Sequence, residues 1–176
     1  MTDLSKDPLV NVVHNGIKRD LRVAMENGCW RAAVILTFSG IDTMAYLGMP
    51  AEQLEVAPRD FIAWCERYIR FDGQEQLTGL DLYGARCGIV HAYGAISRTS
   101  RSGRCRHVVY RYRKDGAPVL FRPDVDPTLV IVSTEALVEA FFGGVDRFLV
   151  DLFRDADRAA AAERRFQGMY HLVPVP

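Results

Sequence analysis

Clustered cysteines are missing from this sequence. Its four, Cys29, Cys65, Cys87 and Cys105, are scattered without CxxC or Cys/His ligand spacing, which argues against a zinc centre. The N-terminus, MTDLSKDPLV, lacks a basic start and an apolar run, so no signal peptide is expected and the chain reads as a reduced cytoplasmic protein. A clean membrane span is missing too. WRAAVILTFSGIDTMAYL (30–47) has about the length of one, but Arg31, Thr37, Ser39 and Asp42 interrupt it, so a buried central helix is expected there. There is no internal repeat, no phosphate-cradling Gly-rich loop after a strand and no GxSxG elbow.

What is present fits one domain, 1–176, because 176 residues with 49% hydrophobic content support a sizeable single core. Formal charge is zero, yet the segment from Arg98 to Lys114 holds six Arg and one Lys with no acid. Such a run suits an anionic partner, and a solvated loop gives the same pattern.

Helix signals dominate the first half. Asp7-Pro8 opens a helix whose apolar residues recur from Leu9 to Met25 until Asn27-Gly28 stops it, with His14 on it as an exposed or structurally satisfied side chain. The 30–47 helix is apolar on nearly all sides and belongs in the core. Asp42 is its anomaly, since a buried carboxylate needs a partner, and Arg86 is the candidate; the alternative is that Asp42 emerges at the surface unpaired. Ala57-Pro58 starts a third helix, with Phe61, Ile62, Trp64, Cys65, Tyr68 and Ile69 forming its apolar face up to Asp72-Gly73.

The stretch around which the chain is organised is DLYGARCGIVHAYGAIS (81–97). Thr78 and Asp81 make a capping box, no proline follows, and the whole stretch is expected on one helix. On it Arg86 and His91 lie about 140° apart and about 7.5 Å apart along the axis. Gly84, Gly88, Ala92 and Ala95 form a small-residue ridge, which invites close approach by a second helix, a symmetric copy of the same one being the favoured version. A catalytic Arg/His pair and an ordinary surface charge beside a satisfied histidine are both open on spacing alone.

Beyond Arg98 a basic loop is expected, then HVVYRYR and PVLFR as a β-hairpin around Asp115-Gly116, with Thr128 to Val132 as a third strand. Arg98, Arg101, Arg104, Arg106, Arg111 and Arg113 with Tyr110 and Tyr112 are candidate RNA contacts, Arg for phosphates and Tyr for stacking; a half-exposed hairpin looks the same. Ser133 caps a long helix that Gly143-Gly144 would kink. The segment 155–167 is expected to project into solvent as a helix, and the tail 168–176 to be loosely held. The expected fold is mainly α, a bundle of four to five helices with a small β-hairpin insertion at about residues 107–132.

Two stretches resemble the HEPN superfamily of small helical nucleotide- and RNA-acting domains. WRAAVILTFSGIDTMAYL is similar to that family's early helix, and ARCGIVHAYG resembles the Arg-x(4 to 6)-His motif of its ribonuclease members. The resemblance covers roughly a third of the chain and implies a metal-independent endoribonuclease without a cofactor, homodimeric, with two Arg/His pairs meeting in one cleft. It implies RNA as substrate and a partner protein in some members, and the interrupted 30–47 run implies no membrane. His91 would serve as general base or acid and Arg86 would stabilise the phosphorane-like transition state, with Asp42 orienting Arg86 and Tyr93 assisting. Cys87 stands where active members commonly carry a polar residue. A non-catalytic dimeric module that binds RNA, a nucleotide or a protein is the competing reading.

Overall fold

Asp7 starts the first helical rod, its carboxylate accepting the N–H groups of Leu9 and Val10 at 2.9 and 3.1 Å while Pro8 needs no donor at the first position. The structure, a computed structural model, describes residues 7–94, 97–112 and 116–169. The rod runs through α1 (Pro8–Val12), a π-helical turn (Val13–Ile17) and α2 (Lys18–Glu26). It ends at Gly28, whose φ of 67° is left-handed. Lys18 is buried, and its ammonium meets Asp146 at 2.5 Å. His14 sits 3.9 Å from the same carboxylate, with its pKa pushed down by burial and by the Lys18 charge.

The protein is mainly α, a helical bundle with a small β insertion. At its centre lies α3 (Trp30–Gly48), which touches α2, α4 (Pro58–Tyr68), α5 (Gly79–Ala92), α7 (Thr134–Phe153) and α8 (Ala156–Phe166). Phe38, Ile41, Met44 and Leu47 of α3 are buried against Phe61 of α4, Leu82 of α5 and Phe141 and Phe148 of α7. Gly40 sets how close α3 and α7 come: a Cβ there would lie 2.5 Å from Phe141 Cζ. No helix among the described residues is long and apolar enough to cross a membrane.

Several sequence expectations change in detail. The third helix, α4, ends at Tyr68 rather than running to Asp72-Gly73, and the Gln76 side-chain amide brackets both the N–H and the C=O of Phe71. The α7 helix is one unbroken element through Gly143-Gly144, and Gly144 is a close-packing residue: a Cβ there would lie 3.0 Å from the Tyr68 carbonyl. The 155–167 segment does not project into solvent. It forms α8, buries Ala161, Ala162 and Phe166, and is tied down by Arg165, which donates to the carbonyls of Met49 and Pro50 at 2.7 and 2.5 Å. The tail beyond residue 169 lies outside the described residues.

The insertion forms three strands, β1 (His107–Arg111), β2 (Val119–Phe121) and β3 (Leu129–Ser133), in the order β1-β3-β2. The expected hairpin between β1 and β2 is therefore not formed. The antiparallel pair is β2 with β3, Leu120 opposite Ile131, and β1 joins the other edge of β3 in parallel, Val108 opposite Val130. The physical reason is burial: Val130 and Val132 are fully inaccessible, so the most apolar strand takes the centre. The Asp115 turn position, with Arg113 and Lys114, lies outside the described residues.

Candidate active site on α3 and α5

The capping box expected before α5 is formed. Thr78 Oγ1 accepts the Asp81 N–H at 3.1 Å and Asp81 Oδ2 accepts the Thr78 N–H at 3.0 Å. Asp81 also anchors the basic segment, receiving the Arg106 backbone N–H at 2.8 Å and its Nη2 at 2.6 Å. Burial pushes the Asp81 carboxyl up, but these donors outweigh it and hold its pKa below the usual carboxylate range.

The α5 helix stops at Ala92, short of the expected Ser97. Tyr93 adopts a left-handed φ of 53°, and Gly94 donates back to the Gly88 carbonyl at 3.2 Å. A bulky residue in that conformation carries about 1–2 kcal/mol of strain, so contacts of its ring must compensate. They include the Arg31 guanidinium of α3, 5.7 Å from the ring centroid. Tyr93 is thus turned toward the start of α3.

Arg86, half-buried on α5, reaches across to α3. Its Nε donates to Asp42 Oδ2 at 2.9 Å, and Nη2 lies 2.9 Å from the same oxygen. The remaining Nη1 lies 2.9 Å from His91 Nε2. A guanidinium has no acceptor, so His91 accepts through Nε2 and carries its proton on Nδ1. The Arg86 and Asp42 side chains are 22% and 31% exposed, and His91 is exposed, so the group is open to a ligand. Burial opposes the Arg86 charge, but the Asp42 carboxylate more than restores it and raises its pKa. Cys87 sits beside the group, and with burial it pushes the Tyr83 phenol up.

The small-residue ridge on α5 does not wait for a second helix at its Gly84 end. A Cβ on Gly84 would lie 2.4 Å from Cys105 Sγ, so the chain's own segment before β1 occupies that space. Gly88 is buried as well, and Ala95 lies outside the described residues.

The candidate RNA contacts divide. Arg98, Arg101 and Arg104 are exposed on or after the short helix α6 (Arg98–Arg101), where a loop was expected, and Tyr112 is 62% exposed. Arg106 is committed to Asp81, to the Gln76 carbonyl at 2.9 Å and to the face of Phe121. Arg111 donates to the Ala117 carbonyl. The Tyr110 hydroxyl is sequestered without a hydrogen-bond partner among the described residues, and burial pushes its pKa up. Arg113 lies outside the described residues.

One feature had no separate signal in the sequence. Trp30 at the start of α3 stacks on Tyr112, ring centroids 6.0 Å apart and planes 14° from parallel. Comparison with family models, curated proteins and solved structures finds no match to this chain.

Proposed function

We propose that this chain is a HEPN-like, metal-independent endoribonuclease that works as a homodimer, with Arg86 and His91 as the reacting pair and Asp42 as their positioning residue. One observation carries this reading: Asp42, Arg86 and His91 form a hydrogen-bonded series at an exposed helix surface, with every contact at 2.9 Å. Val90, one turn beyond Arg86 on α5, is exposed and gives that surface an apolar contact for a second copy.

Phosphodiester cleavage needs a base at the 2′-hydroxyl, a cation at the phosphate and an acid at the leaving oxygen. In the resting state Nη1 of Arg86 engages His91 Nε2. An incoming phosphate draws Nη1 to its own oxygens, and Nε2 is then free to take the 2′-hydroxyl proton. The 2′-oxygen bonds to phosphorus, the bond to the 5′-oxygen breaks, and an imidazolium returns a proton to that oxygen. The products are a 2′,3′-cyclic phosphate and a 5′-hydroxyl. Asp42 keeps the guanidinium fork pointed outward, which a flexible lysine would not reproduce. Arg98, Arg101 and Arg104 supply cations for flanking phosphates.

The test is cleavage of mixed labelled single-stranded and structured RNAs in EDTA by the wild type, His91→Ala and Arg86→Ala, with light scattering on each. Cyclic phosphate ends from the wild type and none from two folded, dimeric variants support the reading. An inert wild type, or variants that cut equally well, overturns it in favour of a binding module, in which the Asp42–Arg86 pair only joins α3 to α5.

A further inference from the structure

A wide cavity lies at the opposite end of the α3–α5 seam from Asp42. It is an open cleft of about 800 Å³, within the range of small-ligand sites, and Trp30, Arg31, Tyr93, Tyr110 and Tyr112 line it together with Ile89. Four elements meet there: the first turn of α3, the end of α5, the end of β1 and the start of α7. The Trp30 and Tyr112 rings stack nearly parallel, their planes 14° apart, and both line the cavity. Opposite in kind, Arg31 is exposed and braced on the Tyr93 ring. No carboxylate occurs among the described residues that line the cavity, so its charge is that of Arg31.

Flat aromatic walls select planar rings, and a lone guanidinium selects an anion attached to them. We infer that this cavity is a binding subsite for a nucleobase bearing an adjacent phosphate, the base stacking on Trp30 and Tyr112 and the phosphate meeting Arg31. The strain held at Tyr93 fits the assignment, because the left-handed turn is what carries its ring to the Arg31 side of the cavity. The Tyr110 hydroxyl, which has no hydrogen-bond partner among the described residues, supplies the polar group for a base edge once the side chain shifts toward the ligand. Arg31 and Asp42 are eleven residues apart on α3, about 16 Å along the axis, so one short strand spans both this wall and Arg86. In that form the inference rests on the ribonuclease reading and names its substrate as single-stranded RNA.

The experiment uses the full chain in EDTA and reads tryptophan emission, for which Trp30 is the responsive group because Trp64 is 4% exposed in the core. The probes are adenosine 5′-monophosphate, a short adenosine oligoribonucleotide and the same oligomer without bases. The monophosphate and the intact oligomer are expected to quench Trp30 emission and the abasic oligomer not to. Tyr112→Ala, at an exposed position that folding does not need, is expected to weaken both ligands about tenfold, and Trp30→Phe to retain binding of labelled oligomer. Tighter binding of the oligomer than of the monophosphate assigns a strand, and the reverse assigns a free nucleotide; both support the subsite. Equal binding of the abasic oligomer, or affinities unchanged in Tyr112→Ala and Trp30→Ala, overturns it. Binding at this wall without strand cleavage would sink the ribonuclease reading alone, and cleavage with unchanged affinities would sink the subsite alone.

Discussion

Arg86 places two donors on one carboxylate oxygen of Asp42, Nε and Nη2 each at 2.9 Å, which leaves Nη1 as the nitrogen free to reach His91. Asp42 thereby decides which edge of the guanidinium faces outward. Its carboxylate is intermediate between a surface ion pair and a buried one, so Asp42→Asn is expected to cost about 1–2 kcal/mol in urea unfolding. If RNA is the substrate, loss of orientation should lower kcat about ten- to hundredfold with a smaller change in KM. Loss of stability with kcat unchanged would make Asp42 a joint between helices and nothing more.

The contact with Arg86 also fixes a tautomer. His91 accepts through Nε2, so in the resting protein at alkaline pH its proton belongs on Nδ1. Long-range ¹H–¹⁵N correlation spectra should show that form dominating in the wild type. In Arg86→Ala the constraint disappears, and the ring should revert to a mixture in which Nε2–H is prominent. Identical spectra for the two proteins would mean that Arg86 does not hold the ring.

The sequence offers Arg86 as the candidate partner of Asp42, because a charge on an apolar helix calls for a cation, and leaves an unpaired Asp42 at the surface open; the structure forms the pair. Caps were legible for a similar reason: Asp7, Thr78 and Ser133 each answer a local shortage of acceptors at a helix start. The strand order was not. Asp115-Gly116 advertises a local turn, whereas β3 wins the centre of the sheet by burying Val130 and Val132, a competition among three segments that a local signal does not encode. The end of α5 was hidden because Tyr93, not a glycine, takes the left-handed position, and its contact with Arg31 spans 62 residues of chain. The Trp30–Tyr112 stack is similarly non-local, joining residues 82 positions apart.

Asp81 links the start of α5 to the basic segment and should set part of the acid limb of stability. Its folded pKa is depressed, so the unfolded chain binds the proton more readily and the native state gains stability as pH rises. That contribution is fully present above the unfolded value of about 4 and is lost as pH falls through the lower folded value. Asp81→Asn is expected to cost about 3 kcal/mol at neutral pH, because Arg106 is left without its counter-charge. The variant should then lose less further stability than the wild type below pH 4, as measured by urea unfolding across pH. Parallel pH profiles would mean that Asp81 is not the group responsible.

Gly84 separates the two ways of explaining the small-residue ridge. Alanine is the better helix former by about 1 kcal/mol, yet a Cβ here would meet Cys105 Sγ at 2.4 Å, and relief of that overlap is expected to cost about 1–3 kcal/mol. Gly84→Ala should therefore be net destabilising in the wild type. With Cys105→Ala the sulfur is gone, and the nearest remaining atoms, Ser97 Oγ at 3.6 Å and residue 105 Cβ at 3.8 Å, are at ordinary contact distance. In that background the same Gly84→Ala change should stabilise the chain by up to about 1 kcal/mol, so the sign of its effect reverses. A urea-unfolding cycle of the four proteins measures the reversal, and light scattering follows their association. If Gly84→Ala instead weakens association equally in both backgrounds and leaves monomer stability alone, the glycine faces a second copy of the chain and not its own Cys105.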